Sequence, residues 1–334
     1  MKVLFDYQTP FALAHGGVQV QITRLKAALE QAGVEADYLR WWDAGQRADI
    51  IHFIGRPVPE YIALAHGHHR KVVLAELLTA TGSRSRGQLA LQRGLVRVLR
   101  KILPGMFTAR LAWDSYRLAD ACVAITPWEA HLMTDLFGAP RERTHVVPNG
   151  VDDVFLAPTQ ALRGQWLVCA ATITGRKRVL ELAEAAVKAR TPLWLVGKAY
   201  ADTDSYAQRT FALVRQYPQI LRHEGAIEDR ARMAQIYREA RGFVLLSRME
   251  TRSLSAEEAA ACECPLLLAD LPWARSVFGD AARYCPITPS AGRTAAALRD
   301  FYDAAPSLPP PPKPISWAQA ARQLKSVYEG LLGS

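Results

Sequence analysis

The sequence predicts an α/β protein with two doubly wound parallel sheets. Its 334 residues suit two domains of about 150 residues each, and half of them are hydrophobic, enough to bury two cores. Short apolar strands alternate with amphipathic helices, and this alternation starts again at Trp166. We therefore expect an N-terminal domain over residues 1–160, a C-terminal domain over 161–312, and a helix within 313–334 that packs back towards the N-terminal domain.

The first half contains five apolar stretches that end in turn residues. The predicted strands are KVLFDY, ADIIHFIG, KVVLAELL, ACVAITP and THVVPNGVD. The first strand leads through HGGV into a helix, which Gly33 ends. Gly16 and Gly17 in this loop would let backbone N–H groups approach a phosphate at the start of the helix. A plain turn that uses glycine for its dihedral angles is the alternative.

The second half repeats the pattern. The predicted strands are WLVCAATI, PLWLVG, ILRHEGAI, GFVLLS and CPLLLAD, and the helices between them are KRVLELAEAAVKA, DSYAQRTFALVRQY, ARMAQIYREA and one from about Ser255. The stretch PSLPPPPKPI predicts a stiff polyproline linker. It precedes SWAQAARQLKSVYEGLL, a predicted helix that Ser316 would cap.

Composition limits the function classes. Lys and Arg outnumber Asp and Glu by 41 to 32, an excess that favours an anionic partner such as phosphate, nucleic acid or an acidic membrane surface. The five cysteines form no C-x-x-C pair and stand in apolar contexts, which indicates buried thiols in a reduced, cytoplasmic protein. No signal-peptide pattern and no apolar run near 18 residues is found, so we expect neither export by that route nor a membrane span.

Two groups of charged residues follow predicted strands, where parallel sheets bind ligands. Arg176, Lys177 and Arg178 stand at a predicted helix start, where cations oppose the helix dipole unless a polyanion lies between them. A solvated charge run is the alternative. Glu250 falls in the loop after GFVLLS and Glu258 in the first turn of the next helix, and such carboxylates suit a hydroxyl-rich ligand such as a sugar or ribose. Alternatively, Glu258 forms a capping box with Ser255.

Several of these motifs, in this order, resemble those of the retaining, nucleotide-sugar-dependent GT-B glycosyltransferases of group 1 and family 4 type. They are VVPNGVD, GRKRVLELAEA, LWLVG, the segment from HEGAIEDR to LLLAD, and SWAQAARQLKSVYEGLL. The resemblance is strong over residues 145–334 and weaker over 1–145. It implies two facing Rossmann-like domains and transfer of a sugar from a nucleotide-diphosphate donor to a hydroxyl acceptor, with retention. It also implies that no metal or other cofactor takes part.

The family's E-x7-E pair serves the donor. By this resemblance Glu250 would lie near the transferred sugar and Glu258 would accept from the ribose hydroxyls. Lys177 would bind the diphosphate, and Arg176 would replace an arginine that the family carries earlier. These two cations and Glu250 would be the catalytic residues. The other donor-binding positions would be Gly16 and Gly17 at the phosphate, Ser253 and Leu254 at the sugar and phosphate, and the segment from Gly225 to Ile227 at the base.

The sequence departs from the family in two places. Glu76, Thr79 and Thr81 occupy the stretch where the family often has a histidine near the reacting sugar, and Glu263 stands where a glycine is usual. A non-catalytic sugar-nucleotide or glycan-binding relative is therefore the alternative function. A nucleic-acid partner is not expected, because the basic residues form no recognised nucleic-acid module.

The acceptor side is indicated by one basic amphipathic segment, SRSRGQLALQRGLVRVLRKILPGMF. It places Arg93, Arg97, Arg100 and Lys101 on one side of a helix, and Leu91, Leu95, Leu99 and Ile102 on another. Such a helix could lie on an anionic bilayer at the inner face of the cell membrane and present a cell-envelope or lipid-linked saccharide. An ordinary surface helix packed on the sheet is the alternative. Trp41 and Trp42 fit a core position and a sugar-stacking position equally well.

Overall fold

The computed structural model describes residues 1–12, 16–103, 105, 106, 110–158, 161–201, 203–288 and 290–333. The chain divides into two compact units, one formed by Met1–Gly150 with Ile315–Ser334 and the other by Val151–Pro314. Each unit contains a parallel sheet surrounded by helices. The predicted fold class, α/β with two doubly wound parallel sheets, is confirmed.

The sheet of the first unit has six strands within the described residues. They are β1 (Lys2–Asp6), β2 (Glu35–Tyr38), β3 (Ile50–Ile54), β4 (Lys71–Ala75), β5 (Ala121–Ala124) and β6 (Thr144–Val146). Every pairing is parallel, and the order across the sheet is β2, β1, β3, β4, β5, β6. All residues of β3 and of β5 are buried, as expected for central strands covered by helices on both faces.

Helices connect these strands on both faces of the sheet. They are α1 (Gly17–Gln31), α2 (Pro59–Gly67), α3 (Thr79–Gly82), α4 (Arg86–Ile102), α5 (Ser115–Leu118) and α6 (Pro127–Leu132). The buried residues of α1 include Ile22, Leu25, Ala28 and Leu29, the face predicted from the sequence.

The sheet of the second unit also has six strands within the described residues. They are β7 (Leu167–Ala170), β8 (Leu193–Val196), β9 (Leu221–Glu224), β10 (Gly242–Leu245), β11 (Leu266–Ala269) and β12 (Arg283–Cys285). Their order is β12, β11, β10, β7, β8, β9, again with parallel pairing throughout. The helices are α7 (Asp153–Leu156), α8 (Val179–Ala189), α9 (Ser205–Gln216), α10 (Arg230–Glu239), α11 (Leu254–Ala261), α12 (Pro272–Phe278) and α13 (Ala291–Ala304).

One glycine fixes the carboxyl edge of this second sheet. Gly197 follows β8 with a φ of 143°, and a Cβ atom there would lie 2.1 Å from the carbonyl oxygen of Ala171. Only glycine permits this approach, because any side chain would both clash and strain the backbone. The chain ends of β7 and β8 are therefore held close together, next to the loop that follows β7.

The last helix, α14 (Trp317–Leu332), packs within the first unit against α1. Ser316 caps it in a capping box with Gln319, which confirms the predicted cap. The Tyr328 hydroxyl lies 2.6 Å from Nδ1 of His52, and both side chains are buried. Lys325 Nζ donates to the carbonyl of Ala32 at the end of α1. The linker before α14 therefore returns the chain to the first unit.

Candidate functional site

A buried carboxylate and two cations meet at the carboxyl edge of the second sheet, where β10 and β7 are neighbours. Glu250 follows β10, and its side chain is only 9% exposed. The carboxylate accepts from Lys177 Nζ in a short ion pair, and Arg176 Nη1 lies 3.4 Å from the same oxygen. The structure therefore brings together the three residues that were predicted to be catalytic.

Backbone contacts hold the two loops that carry these side chains. The Arg248 N–H donates to the carbonyl of Arg176 at 2.8 Å, and Arg176 Nη1 donates to the carbonyl of Met249 at 3.0 Å. The Lys177 N–H closes a turn onto the carbonyl of Thr174. Lys177 is itself only 14% exposed, so its charge is partly desolvated. An anion that reached Lys177 would compete directly with the Glu250 carboxylate.

Arg178 does not join this cluster. It precedes α8 with a left-handed φ of 54°, it is buried, and its Nη2 donates to the carbonyl of Thr288 at 2.9 Å. The helix begins at Val179, so Arg176 and Lys177 lie in the loop before it and not in its first turn. The predicted group of three cations therefore divides into a pair at Glu250 and a separate structural arginine.

The capping-box interpretation of Glu258 is wrong. The N-cap of α11 is Ser253, whose hydroxyl accepts from the N–H of Ala256, and Ser255 lies inside the helix with its hydroxyl 3.1 Å from that of Ser253. Glu258 instead forms a short ion pair with Arg230 and lies 3.5 Å from the Tyr237 hydroxyl. Its carboxylate is therefore occupied by side chains and not by the backbone of its own helix.

Arg230 connects Glu258 to a second acid. Its Nε donates to Asp152 Oδ2 at 3.0 Å, and its guanidinium lies 4.6 Å from the centre of the Phe155 ring. Burial raises the pKa of the Glu258 carboxyl, while the charge of Arg230 acts in the opposite direction. Neither Asp152 nor Arg230 was predicted from the sequence. Their signals were available, because Asp152 follows the motif VVPNGV and Arg230 stands at the start of a predicted helix.

The other donor-binding candidates lie at element boundaries in both units. Ser253 is buried at the start of α11, where Leu254 is the first helical residue. Gly225 is exposed after β9, and Ile227 packs against the core of the second unit. These positions follow β10 and β9, so they share the carboxyl edge with Glu250 and Lys177.

The glycine pair belongs to the first unit. Gly16 immediately precedes α1 with φ 149° and ψ −159°, a conformation that favours glycine, and Gly17 is the first residue of the helix. This geometry explains why glycine is needed at Gly16, and it also leaves the start of α1 without a bulky side chain. His15 of the same motif lies outside the described residues.

Glu76 lies at the carboxyl edge of the first sheet, in the stretch where the resembling family often has a histidine. Both of its oxygens pair with Arg56, whose Nε and Nη2 each lie 2.8 Å away, and the Tyr116 hydroxyl also donates to the carboxylate in a short hydrogen bond. Arg56 Nη1 donates to the carbonyl of Leu111. Glu76 is therefore fixed by Arg56, which follows β3, and by Tyr116, which lies in α5 of the same unit.

The helix α4 exposes apolar side chains. Leu91, Leu95, Val98 and Ile102 recur at helical spacing and are each more than half exposed, whereas Leu99 contacts the core. Two of the predicted surface cations contact the protein, since Arg93 pairs with Asp135 and Arg100 donates to the carbonyl of Phe137. Arg97 and Lys101 are exposed beside the apolar stripe.

Within the described part of the chain, no group of three or more His, Cys, Asp or Glu side chains is placed to hold a metal ion. None of the helices in the described ranges is long and apolar enough to cross a membrane.

Comparison with solved structures identifies the architecture. The chain is similar to sucrose-phosphate synthase from Thermosynechococcus elongatus, with 16% identity, 99% of each chain covered and a TM-score of 0.67. It is similar to Anabaena HepE in complex with UDP and glucose, with 14% identity, 99% of this chain and 100% of HepE covered, and a TM-score of 0.61. The pneumococcal O-GlcNAc transferase GtfA, in complex with UDP and GlcNAc, shares 12% identity over 93% of this chain at a TM-score of 0.60. This chain spans 60% of GtfA.

Sequence comparison adds evidence for the first unit. Residues 36–155 match the family model of Glycosyltransferase Family 4. No curated protein sequence matches the chain. The chain is therefore similar in fold to GT-B glycosyltransferases, and residues 36–155 are similar in sequence to Glycosyltransferase Family 4.

Proposed function

We propose that this protein is a glycosyltransferase that moves a sugar from a nucleoside-diphosphate donor to a hydroxyl group of a saccharide acceptor, and that the donor binds at the carboxyl edge of the second sheet. The cluster of Glu250, Lys177 and Arg176 is the observation that supports this proposal most strongly. It offers a partly buried pair of cations whose present partner is a carboxylate that a diphosphate would replace. The solved structures of HepE and GtfA contain UDP together with a sugar.

Lys177 and Arg176 would stabilise the leaving group. Negative charge builds on the diphosphate as the bond to the sugar breaks, and cations placed there in advance lower the barrier. Their effect is strengthened because Lys177 is shielded from water and its charge is poorly screened. Once released from the cations, the Glu250 carboxylate would accept hydrogen bonds from hydroxyls of the transferred sugar.

The rest of the donor would contact the other predicted positions. Glu258 would accept from the ribose hydroxyls while Arg230 holds its carboxylate in place. The segment from Gly225 to Ile227 would line the base. The N–H groups near Ser253 and Leu254 would face the sugar and phosphate. In the first unit, the N–H groups at Gly16 and Gly17 are also suited to bind a phosphate.

We propose that the transfer retains the configuration at the anomeric carbon. The bond to the diphosphate breaks first to give an oxocarbenium-like state, and the acceptor oxygen then bonds to the anomeric carbon on the same face that the diphosphate leaves. The proton of the acceptor hydroxyl passes to an oxygen of the leaving diphosphate. In this scheme Lys177 and Arg176 supply the positive charge at the leaving group. No metal or other cofactor is then required, and the nucleotide sugar is a co-substrate.

A panel of nucleotide sugars tests the proposed function. A ligand present at 100 times its dissociation constant should add about 2.7 kcal/mol to the free energy of unfolding, which a thermal melt detects. We expect one base to be preferred, and we expect its nucleoside diphosphate to stabilise more than its monophosphate. Slow hydrolysis of the stabilising sugar would then separate an enzyme from a non-catalytic relative. If no nucleotide or nucleotide sugar raises the melting temperature, the proposal is wrong.

We further propose that α4 lies on the anionic inner face of the cell membrane, where a lipid-linked or cell-envelope saccharide is the acceptor. Leu91, Leu95, Val98 and Ile102 would enter the interface, because they are exposed on one side of the helix. The flanking Arg97 and Lys101 would contact the lipid headgroups, each contributing roughly 1 kcal/mol. Such a place would suit a role in polysaccharide biosynthesis.

Vesicle sedimentation tests this membrane contact. The wild type should sediment with anionic vesicles and dissociate at high salt, and Arg97→Glu with Lys101→Glu should abolish sedimentation. The matched control is Lys188→Glu with Arg293→Glu, which makes the same change in charge at exposed positions of the second unit. Equal sedimentation of both double variants would leave α4 without a membrane role.

A further inference from the structure

Two adjacent tryptophans form the tip of a turn after β2. The Asp43 N–H donates to the carbonyl of Arg40, so Trp41 and Trp42 are the two central residues of the turn. Their exposed fractions are 72% and 84%, which excludes the core position that the sequence left open. Turn formation does not explain two indoles, because these positions favour Pro, Gly, Asn, Asp or Ser.

The turn is braced from both sides. Arg40 donates to Asp37 Oδ2 at 2.6 Å and to Asp43 Oδ2 at 2.8 Å. The buried Gln46 side chain accepts from the Arg40 N–H and donates to the carbonyl of Tyr38, each at 2.8 Å. The backbone beneath Trp41 and Trp42 is therefore fixed by ion pairs and hydrogen bonds. A fixed loop loses little conformational entropy when a ligand binds to it.

The position of the turn in the first unit points to ligand binding. The turn follows the carboxyl end of β2, and β2 runs parallel to β1 in the sheet. It therefore belongs to the same edge of this sheet as Glu76, which follows β4. Ligands of open parallel sheets bind at this edge. Exposed aromatic side chains on a rigid loop there indicate a contact surface more than a structural need.

We propose that Trp41 and Trp42 form a stacking platform for the saccharide part of the acceptor. The flat apolar faces of sugar rings pack on indole rings, and the neighbouring carboxylates and guanidinium group offer hydrogen bonds to hydroxyls. Local charge argues against an anionic bilayer as the partner, because residues 35–49 contain four carboxylates and two guanidinium groups. That the bound saccharide is the acceptor rests on the proposed function. Binding of a saccharide to the two tryptophans does not, because it needs no nucleotide-sugar donor.

An array of neutral oligosaccharides, probed without nucleotide, tests the platform. It should cover the gluco, galacto, manno and rhamno series, and the best binder should then be titrated by tryptophan fluorescence and calorimetry. We expect the wild type to bind, and Trp41→Ala with Trp42→Ala to bind at least about tenfold more weakly. Tyr200→Ala removes an exposed aromatic side chain from the second unit and should bind like the wild type.

Two results would overturn the proposal. The first is a wild type that binds no saccharide of the array, and the second is equal binding by the wild type and the double tryptophan variant. In the second case, loss of sedimentation with anionic vesicles would assign the tryptophans to a bilayer, and loss of self-association in analytical ultracentrifugation would assign them to a second copy of the chain. Nucleotide binding measured in parallel separates this test from that of the proposed function. If the protein binds saccharide but no nucleotide, the proposed function is wrong and the saccharide platform stands.

Discussion

The exchange of Glu250 for a diphosphate at Lys177 predicts that one variant binds nucleotide more tightly than the wild type. Glu250→Gln keeps the shape of the side chain but removes the charge that pairs with Lys177 and Arg176. The wild type must give up this ion pair before a phosphate can take the cations. Glu250→Gln gives up only a weaker, neutral contact. We therefore expect opposite effects on stability and on nucleotide affinity.

The burial of the pair sets the magnitudes. Breaking a fully buried ion pair costs 3–5 kcal/mol. Here the side chains of Glu250, Lys177 and Arg176 are 9%, 14% and 39% exposed, so water compensates part of the loss. We expect Glu250→Gln to lower the free energy of unfolding by about 1–3 kcal/mol, the cost of leaving a buried polar group without its full partner. Relief from the competing carboxylate should strengthen binding of a nucleoside diphosphate about tenfold, or about 1.4 kcal/mol.

Calorimetry and thermal melts with and without the nucleoside diphosphate measure both effects. Turnover of the nucleotide sugar should fall in Glu250→Gln, because the sugar loses its hydrogen-bond acceptor. Glu263→Gln is the matched control, since Glu263 also pairs with a lysine, Lys313, at 2.8 Å but is half-exposed. If Glu250→Gln binds the nucleoside diphosphate more weakly than the wild type while Glu263→Gln is normal, the exchange at Lys177 does not occur.

Two further predictions concern buried groups. Glu258→Gln leaves Arg230 with Asp152 as its only charged partner among these two acids, so it should lower the melting temperature. It should weaken binding of the nucleoside diphosphate at least tenfold, but weaken binding of the 2′-deoxy analogue much less. Equal losses of affinity for both ligands would exclude a contact with the 2′-hydroxyl. Burial lowers the pKa of His52 from 6.5 to about 3, so the neutral ring is favoured in the folded protein. Neutral His52 therefore contributes fully to the free energy of unfolding above pH 6.5. This contribution is lost as the pH falls towards 3, by up to about 1.4 kcal/mol per pH unit. Urea unfolding of the wild type and His52→Gln at pH 7.5, 6 and 5 should show the wild type losing its advantage; a pH-independent difference would contradict the burial effect.

The sequence predicted the central strands well and missed two edge strands. Strands β1 and β3 to β11 correspond to the predicted strands. Eight of these ten are central strands, which are buried on both faces of a parallel sheet, whereas β6 and β9 lie at sheet edges and were predicted from their own apolar residues. The edge strands β2 and β12 have the sequences EADY and RYC and contain no such run. An edge strand pairs on one side only and tolerates polar residues, so its pattern is weak.

The sequence named Glu250 and Lys177 but not their contact. They are 73 positions apart and meet because β10 lies next to β7, an arrangement that depends on the order of strands and not on local pattern. The capping-box interpretation of Glu258 failed because Ser253 and Ser255 both suit an N-cap. Which serine caps the helix depends on where α11 begins, a boundary that local pattern fixes poorly.

The amphipathic pattern of α4 was recognised, but its orientation was not. Periodicity placed apolar and basic residues on separate sides of the helix, and either side could pack on the protein. In the structure Arg93 forms an ion pair with Asp135, and Arg100 donates a hydrogen bond to a backbone carbonyl. Leu91 and Leu95 are exposed. Specific partners on a neighbouring segment, and not the pattern alone, decide which face is covered.

Binding of the preferred nucleoside diphosphate to Lys177→Ala tests the central claim most directly. The control is Lys188→Ala, the same substitution at an exposed position near the other end of α8. Isothermal titration should show that the wild type and Lys188→Ala bind equally, whereas Lys177→Ala binds at least about tenfold more weakly, with a smaller loss for the monophosphate. Lys177→Ala binding the diphosphate as tightly as the wild type would contradict a donor site at this lysine.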